Sequence, residues 1–203
     1  SGVYLVGNVL SKLIGFFLLP IYTYALAPDQ FGTFDVAVTV ISLSVPIAFF
    51  QVWDGMFRYA FEKNKPEEKY GIISSSFSVW AAGLLLYSSV FFIICRVLQF
   101  NHQWLIYFYG LSISIQYQYA YITRSFLKNK LFVISGLINC TLSALINIIL
   151  ILVFNAGIES LYIAPVLGCA AQALVIEAVL HPLKSFRIRS IDVKNIKEML
   201  RFS

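Results

Sequence analysis

Charge is scarce in this chain. Only 15 Lys and Arg and 10 Asp and Glu occur in 203 residues, 12% of the sequence, against about 25% in ordinary soluble domains. With 59% hydrophobic residues and a mean hydropathy of +0.79, that excludes water as the main solvent. Cysteine is equally thin. Cys95, Cys140 and Cys169 stand singly inside apolar runs, which excludes a disulfide framework or a thiolate metal site and leaves small apolar packing residues. The two histidines, His102 and His181, fall in no metal-ligand spacing. The sequence therefore implies no metal, no cofactor and no catalytic residue. The sequon at Asn139-Cys140-Thr141 lies within an apolar run, beyond the reach of a glycosylating enzyme. No cleavable signal pattern is present and the chain starts without Met, so its first residues are expected to be missing.

What is present is six long apolar runs: Val3 to Leu26, Phe31 to Phe57, Gly71 to Val97, Trp104 to Phe126, Phe132 to Phe154 and Leu161 to Pro182. Crossing the hydrocarbon of a bilayer takes about 20 helical residues, so each run is long enough, some with tilt. The runs are continuous rather than alternating, which favours helices over the strands of about ten residues that a barrel needs. Trp104 and Tyr107 at one mouth, and Trp53, Phe57 and Tyr59 at another, suit interfacial anchors.

Bases fall on alternate connections. Arg58, Lys63, Lys65 and Lys69 lie between the second and third runs, and Arg124, Lys128 and Lys130 between the fourth and fifth. Lys184, Arg187, Arg189, Lys194, Lys197 and Arg201 follow the sixth. The other connections, 27–30, 100–103 and 155–160, have only Arg96 nearby. The positive-inside rule makes the basic side cytoplasmic, with both chain ends there. The formal charge of +5 is then explained by membrane lipid, anionic on the inner leaflet, and not by nucleic acid. Residues 183–203 read as a cytoplasmic basic linker: Asp192 caps a helix whose Ile196, Met199 and Leu200 form an apolar stripe opposite Lys194, Lys197 and Arg201. It stops where another span would begin, so residues 1–182 are expected to be the first lobe of a longer transporter.

Polar residues within the runs are the informative ones, because an ionised group at mid-bilayer costs roughly 3 kcal/mol or more without a partner or an aqueous cavity. Asn8, Ser11, Lys12, Gly15 and Tyr22 recur at helical spacing. Lys12 is either a structural cation neutralised by an acid or a cavity-lining one. Asp35, Thr39, Ser42 and Pro46 share a side of the second run, with Asp35 near the external surface. Asp54 and Arg58 follow at the spacing of a helical ion pair, structural or at an inner gate. In the fourth run Tyr109, Ser112, Gln116, Tyr119 and Thr123 form a stripe of amide, hydroxyl and phenol groups that suits a carbohydrate. Interhelical hydrogen bonding is the other reading, and the one favoured for Asn139, Ser143, Asn147 and Gln172. Glu177 and His181 stand one turn apart. Glu177 is the expected resting partner of Lys12, a proton acceptor or a holder of a coupling cation.

The run from Asn8 to Asp35, NVLSKLIGFFLLPIYTYALAPDQFGTFD, resembles the opening of the Wzx-type polysaccharide and O-antigen flippases of the multidrug/oligosaccharidyl-lipid/polysaccharide exporter superfamily. WDGMFRY, from Trp53 to Tyr59, is similar to the inner end of that family's second helix, and the basic stretch through Arg201 to Ser203 to the lead into its seventh. The resemblance implies an all-α, two-lobed bacterial cytoplasmic-membrane transporter of twelve to fourteen helices, with six in this lobe. It further implies translocation of undecaprenyl-diphosphate-linked oligosaccharide for lipopolysaccharide or capsule, alongside polysaccharide polymerase and glycosyltransferase machinery. Lys12 and Arg58 would then serve the diphosphate and the stripe in the fourth run would meet sugars, with Asn8 and Asn139 as further cavity candidates. The rival in the same superfamily is an exporter of drugs or small cations, which would favour an acidic cavity. A membrane-embedded polysaccharide-processing enzyme would need a positioned base or nucleophile, yet the short external connections hold one His, His102.

Overall fold

The computed structural model describes residues 2–63, 65–98, 101–184, 186 and 192–202, and of residues 2–8, 10, 11, 15, 98 and 194 the backbone alone. Among the described residues every regular element is helical: α1 (Gly2–Ala25), α2 (Pro28–Ala48), α3 (Val52–Glu62), α4 (Pro66–Leu98), α5 (Gln103–Ser125), α6 (Asn129–Leu152), α7 (Glu159–Leu180) and α8 (Val193–Leu200). Four of them, α2, α4, α6 and α7, are long and apolar enough to cross a membrane, which makes the chain compatible with a membrane-embedded protein. Polar residues thin the apolar content of α5, where Ser, Gln and Tyr crowd the sequence.

Helix starts follow local chemistry. Pro28 opens α2, where a missing N–H costs nothing, and Asp29 faces the positive end of the helix dipole. Pro66, Glu67 and Glu68 do the same for α4, which begins five residues before the expected Gly71. At about 1.5 Å per residue its 33 residues run to about 50 Å, more than the hydrocarbon thickness of about 30 Å.

The second apolar run is not one helix. It breaks at Phe49, Phe50 and Gln51, with left-handed backbone at Phe50 (φ 53°) and Gln51 (φ 44°). Gln51 N–H donates to the Pro46 carbonyl at 2.8 Å and Phe50 N–H to that of Ile47 at 3.1 Å. These are the two bonds of a Schellman ending, here with Phe where Gly is usual. The left-handed conformation costs about 1–2 kcal/mol in a residue with a side chain. Complete burial of Phe49, stacked on Trp80 at 5.5 Å and beside Tyr87 at 5.8 Å, offsets it.

Neighbouring contacts fix helix directions. Tyr22 of α1 meets Asn147 of α6 near the C-terminal ends of both. Tyr109 and Tyr162 meet near the starts of α5 and α7, and Phe34 meets Tyr109 near the starts of α2 and α5. Asn139 with Gln172 and Ser76 with Gln118 pair antiparallel helices. Thus α1, α4 and α6 run one way, and α2–α3, α5 and α7 the other. The connections around 63–65 and 126–128, the end of α7 and α8 share one end of the bundle, and Arg58, Lys63, Lys65, Lys69, Arg124, Lys128, Lys130, Lys184, Lys197 and Arg201 gather there. At that basic end Lys69 Nζ donates to the Ser125 carbonyl at 2.7 Å and Tyr70 Oη to that of Leu180 at 3.1 Å. The stripe expected on α8 is partly docked into the bundle: Met199 is buried, Lys197 and Arg201 are exposed, and Leu200 is exposed too. Arg187 and Arg189, and the side chain of Lys194, lie outside the described residues.

Candidate functional site: a polar cavity between α1, α5, α6 and α7

Helices α6 and α7 come into close contact at Gly168. A Cβ there would lie 2.7 Å from the Asn139 carbonyl oxygen, so only glycine fits. Beside this contact Asn139 Nδ2 donates to Gln172 Oε1 at 2.8 Å, and Ser143 Oγ to Asn139 Oδ1 at 3.1 Å. Further along, Asn147 Nδ2 donates to Tyr22 Oη at 2.7 Å and ties α6 to α1. These residues also edge a cavity of about 600 Å³. Its walls are Ile14, Leu18 and Tyr22 of α1; Tyr109, Ser112, Gln116, Tyr117, Ala120, Tyr121 and Arg124 of α5; Asn139, Ser143 and Asn147 of α6; and Cys169 and Gln172 of α7, among others. Asn139 and its neighbours are thus both interhelical ties and cavity wall.

The cavity is long and graded. From Tyr109 to Arg124 it follows fifteen residues of α5, about 22 Å. Amides and hydroxyls hold its middle, and Arg124 stands at the basic end. The Arg124 guanidinium lies over the rings of Phe57 at 4.8 Å, Tyr121 at 4.9 Å and Phe132 at 5.9 Å. No carboxylate is among the wall residues described, and Arg124 is their one formal charge. Asp54 is not among them but interacts with the hydroxyl of one wall residue, Tyr121, which Arg124 contacts as well.

Of the residues expected at the site, Gln116 and Asn139 line the cavity. Tyr119 and Thr123 do not: the Tyr119 hydroxyl donates to Glu177 Oε2 at 3.3 Å, and Thr123 Oγ1 to the Ala120 carbonyl at 2.6 Å. At 100° per residue the cavity face of α5 is turned about 70° from the expected stripe, towards Ala120 and Arg124. Lys12 is exposed on α1 and Arg58 is exposed on α3, where it lies over the Phe202 ring at 4.2 Å. The Asn8 side chain lies outside the described residues.

Two expected pairings are corrected. Asp54 accepts a hydrogen bond from Gln51 Nε2 and is not bridged to Arg58; the ion pairs among the described residues are Lys63–Glu68 at 4.0 Å and His102–Glu159 at 3.6 Å. Glu177 accepts Leu183 N–H at 3.2 Å on each oxygen, besides the Tyr119 hydroxyl, and not Lys12. Lys12 lies about 20 Å from the Ala25 end of α1 and Glu177 about 27 Å from the Glu159 end of α7, so their depths differ by about 7 Å. The packing partner of α1 is α6. His181 is exposed and ends α7 in left-handed backbone (φ 48°), its N–H on the Glu177 carbonyl at 2.9 Å.

Arg124 is the residue the sequence reading missed, counted only as a basic residue of a connection. Its spacing of four from Ala120 and eight from Gln116 was the available signal. The fold and the cavity define an all-helical bundle with long apolar helices of the kind membranes hold. No family model, curated protein or solved structure matches the chain.

Proposed function

We propose that this chain is part of a flippase that carries undecaprenyl-diphosphate-linked oligosaccharide across the bacterial cytoplasmic membrane, with six crossings and the basic end in the cytoplasm. The observation that carries this reading is the charge pattern of the cavity: one guanidinium at the basic end, then uncharged amides, hydroxyls and phenols, and no carboxylate among the described wall residues. A lipid diphosphate entering from the basic side meets Arg124, whose planar fork suits phosphate oxygens. Sugar hydroxyls then find Gln116, Ser112, Asn139 and Gln172, and the Tyr109, Tyr117 and Tyr121 rings offer faces for the apolar side of a pyranose. A cavity built for organic cations would carry acid instead. The strict alternation of helix direction supports six crossings, and the gathering of bases at one end supports the orientation. A second lobe, implied by the resemblance, would supply the opposing wall for alternating access.

The test is complementation of a flippase-deficient strain with the full-length protein and its Arg124 variants. Arg124→Gln is expected to cut surface glycan about 10- to 150-fold, the loss of one charge-assisted bond worth about 1.5–3 kcal/mol, at unchanged membrane abundance. Arg124→Lys is expected to retain part of the export. Normal export by Arg124→Gln, or extrusion of cationic dyes without glycan export by the wild type, refutes the reading.

A further inference from the structure

Helices α2 and α4 touch tightly at one point and part beyond it. A Cβ on Gly83 would lie 2.9 Å from the Phe49 Cα, so the two backbones meet there at the closest approach that glycine allows. Towards the start of α2 and the end of α4 they diverge, and the gap between them is a groove of about 210 Å³ running from Ala48 and Leu86 to Ala37 and Cys95. Its floor is Ile106 of α5 and the Tyr87 ring, admitted by Gly110, where any side chain would overlap the Tyr87 hydroxyl.

The polar groups of this groove are already satisfied. Ser44 Oγ donates to the Ile41 carbonyl at 3.3 Å and Tyr87 Oη to that of Tyr107 at 3.3 Å. Nothing in it would hold water, since a buried water needs two to four polar partners and apolar cavities stay dry. It is large enough for an apolar ligand: an engineered apolar cavity of about 150 Å³ stays dry and binds benzene. Its rim faces outward through Val40, Ile47, Leu86 and Val90, each more than two-fifths exposed. Both walls are helices long and apolar enough to span, and where they do the medium at this rim is hydrocarbon.

We propose that the α2–α4 groove is a binding site for one acyl chain of a membrane phospholipid, in the half of the bilayer away from the basic end. At about 30 Å³ per water-sized group the groove admits about seven methylenes, the inner stretch of a single unbranched chain. The chain occupies the wedge that the Gly83–Phe49 contact opens, beside the break at Phe49 to Gln51. The site is separated from the polar cavity by α5, so the lipid held here is not the transported one. The assignment depends on α2 and α4 spanning the membrane and not on the flippase reading.

A phospholipid carrying a diazirine midway along one acyl chain, incorporated into nanodiscs with the protein, tests the proposal by peptide mapping after photolysis. Crosslinks are expected about tenfold enriched at Ser44, Val90 and Ile94 over Leu43 and Ile93, lipid-facing neighbours on the same helices that do not line the groove. Val90→Phe and Ser44→Leu, which fill the groove from the rim, should each abolish the enrichment while Leu43 and Ile93 keep their labelling. Equal labelling of groove and control residues, or enrichment that survives both substitutions, overturns the site. Absence of labelling at Leu43 and Ile93 as well overturns the spanning assignment on which it rests. A polyprenyl phosphate with the same photoreactive group is the remaining arm, and its preferential capture in the groove would overturn the choice of occupant.

Discussion

Gly136 and Gly168 make a matched pair for testing the α6–α7 contact. Both are helical and both edge the cavity region, but a Cβ at Gly136 meets nothing within 4 Å, whereas one at Gly168 meets the Asn139 carbonyl oxygen at 2.7 Å together with the Asn139 and Ser143 side chains. Alanine gains about 1 kcal/mol over glycine in either helix interior. At Gly136 that gain should stand alone. At Gly168 the helices must part, at about 1–3 kcal/mol for overpacking, and the Asn139–Gln172 bond, worth about 1 kcal/mol between membrane helices, is lost with the approach. The net is a loss of about 1–3 kcal/mol for Gly168→Ala against a gain of about 1 for Gly136→Ala. At about 2–4 °C per kcal/mol for a chain of this size, the two midpoints should differ by roughly 4–16 °C. With the half-buried Cys140 replaced by Ser in both variants, buried Cys95 and Cys169 make a thiol-reactive dye a reporter of unfolding in detergent. Equal midpoints for the two variants would refute the close-packed α6–α7 seam, and with it the account of how the cavity wall is held.

Phe50→Gly should leave stability unchanged or raise it by up to about 1 kcal/mol, because glycine adopts the left-handed backbone freely, while Phe50→Val should lower it by about 1–2 kcal/mol in the same melt. Lys12→Gln and Glu177→Gln should act additively on membrane abundance, within about 0.5 kcal/mol equivalent, because Glu177 is held by the Tyr119 hydroxyl and Leu183 N–H and not by Lys12; recovery of abundance only in the double variant would restore the expected ion pair. If the basic end is cytoplasmic, a cysteine at Asn101 should react with a membrane-impermeant thiol reagent in intact cells and one at Lys130 should not. The reverse labelling would invert the orientation.

Continuous apolar runs announce helices plainly, and five of the six expected runs correspond to single helices with ends shifted by a few residues. The second run hid its break because neither of the marks that usually disclose one was in place. Phe50 and Gln51 take the left-handed backbone without being glycine, and Pro46 lies inside α2 rather than after it. What fixes the break is tertiary, the insertion of Phe49 between Trp80 and Tyr87. The site was legible in composition more than in direction. Polar residues on α5 were visible, but one helix serves both the cavity and its contacts with α4 and α7, and periodicity alone does not say which polar group goes where. Gln118 is an example: it is buried against Ser76 of α4, at 2.6 Å, on the side away from the cavity. Depth is likewise absent from sequence, which is why Lys12 and Glu177 looked like partners.

The break in the second run and the cation of the cavity are connected. Before the break, α2 packs into the aromatic core with α4 and α5; after it, α3 leans on α4, α5 and α8. That change of direction brings Phe57 onto the Arg124 guanidinium and leaves Asp54 between Gln51 at the start of α3 and the Tyr121 hydroxyl, not bridged to Arg124 itself. An unbroken helix would have carried Phe57 along the line of α2. The arrangement holds a guanidinium by ring faces rather than by a carboxylate. Each cation–π contact supplies about 0.5–2 kcal/mol and uses ring faces rather than N–H donors, of which one is shared with the Tyr121 hydroxyl. An acid in the same position would have to be displaced before an anion could bind, at the cost of leaving that acid unpaired in a low-dielectric wall. An aromatic cradle imposes no such exchange, so on the proposed reading an anion entering from the basic end would meet Arg124 without first breaking an ion pair.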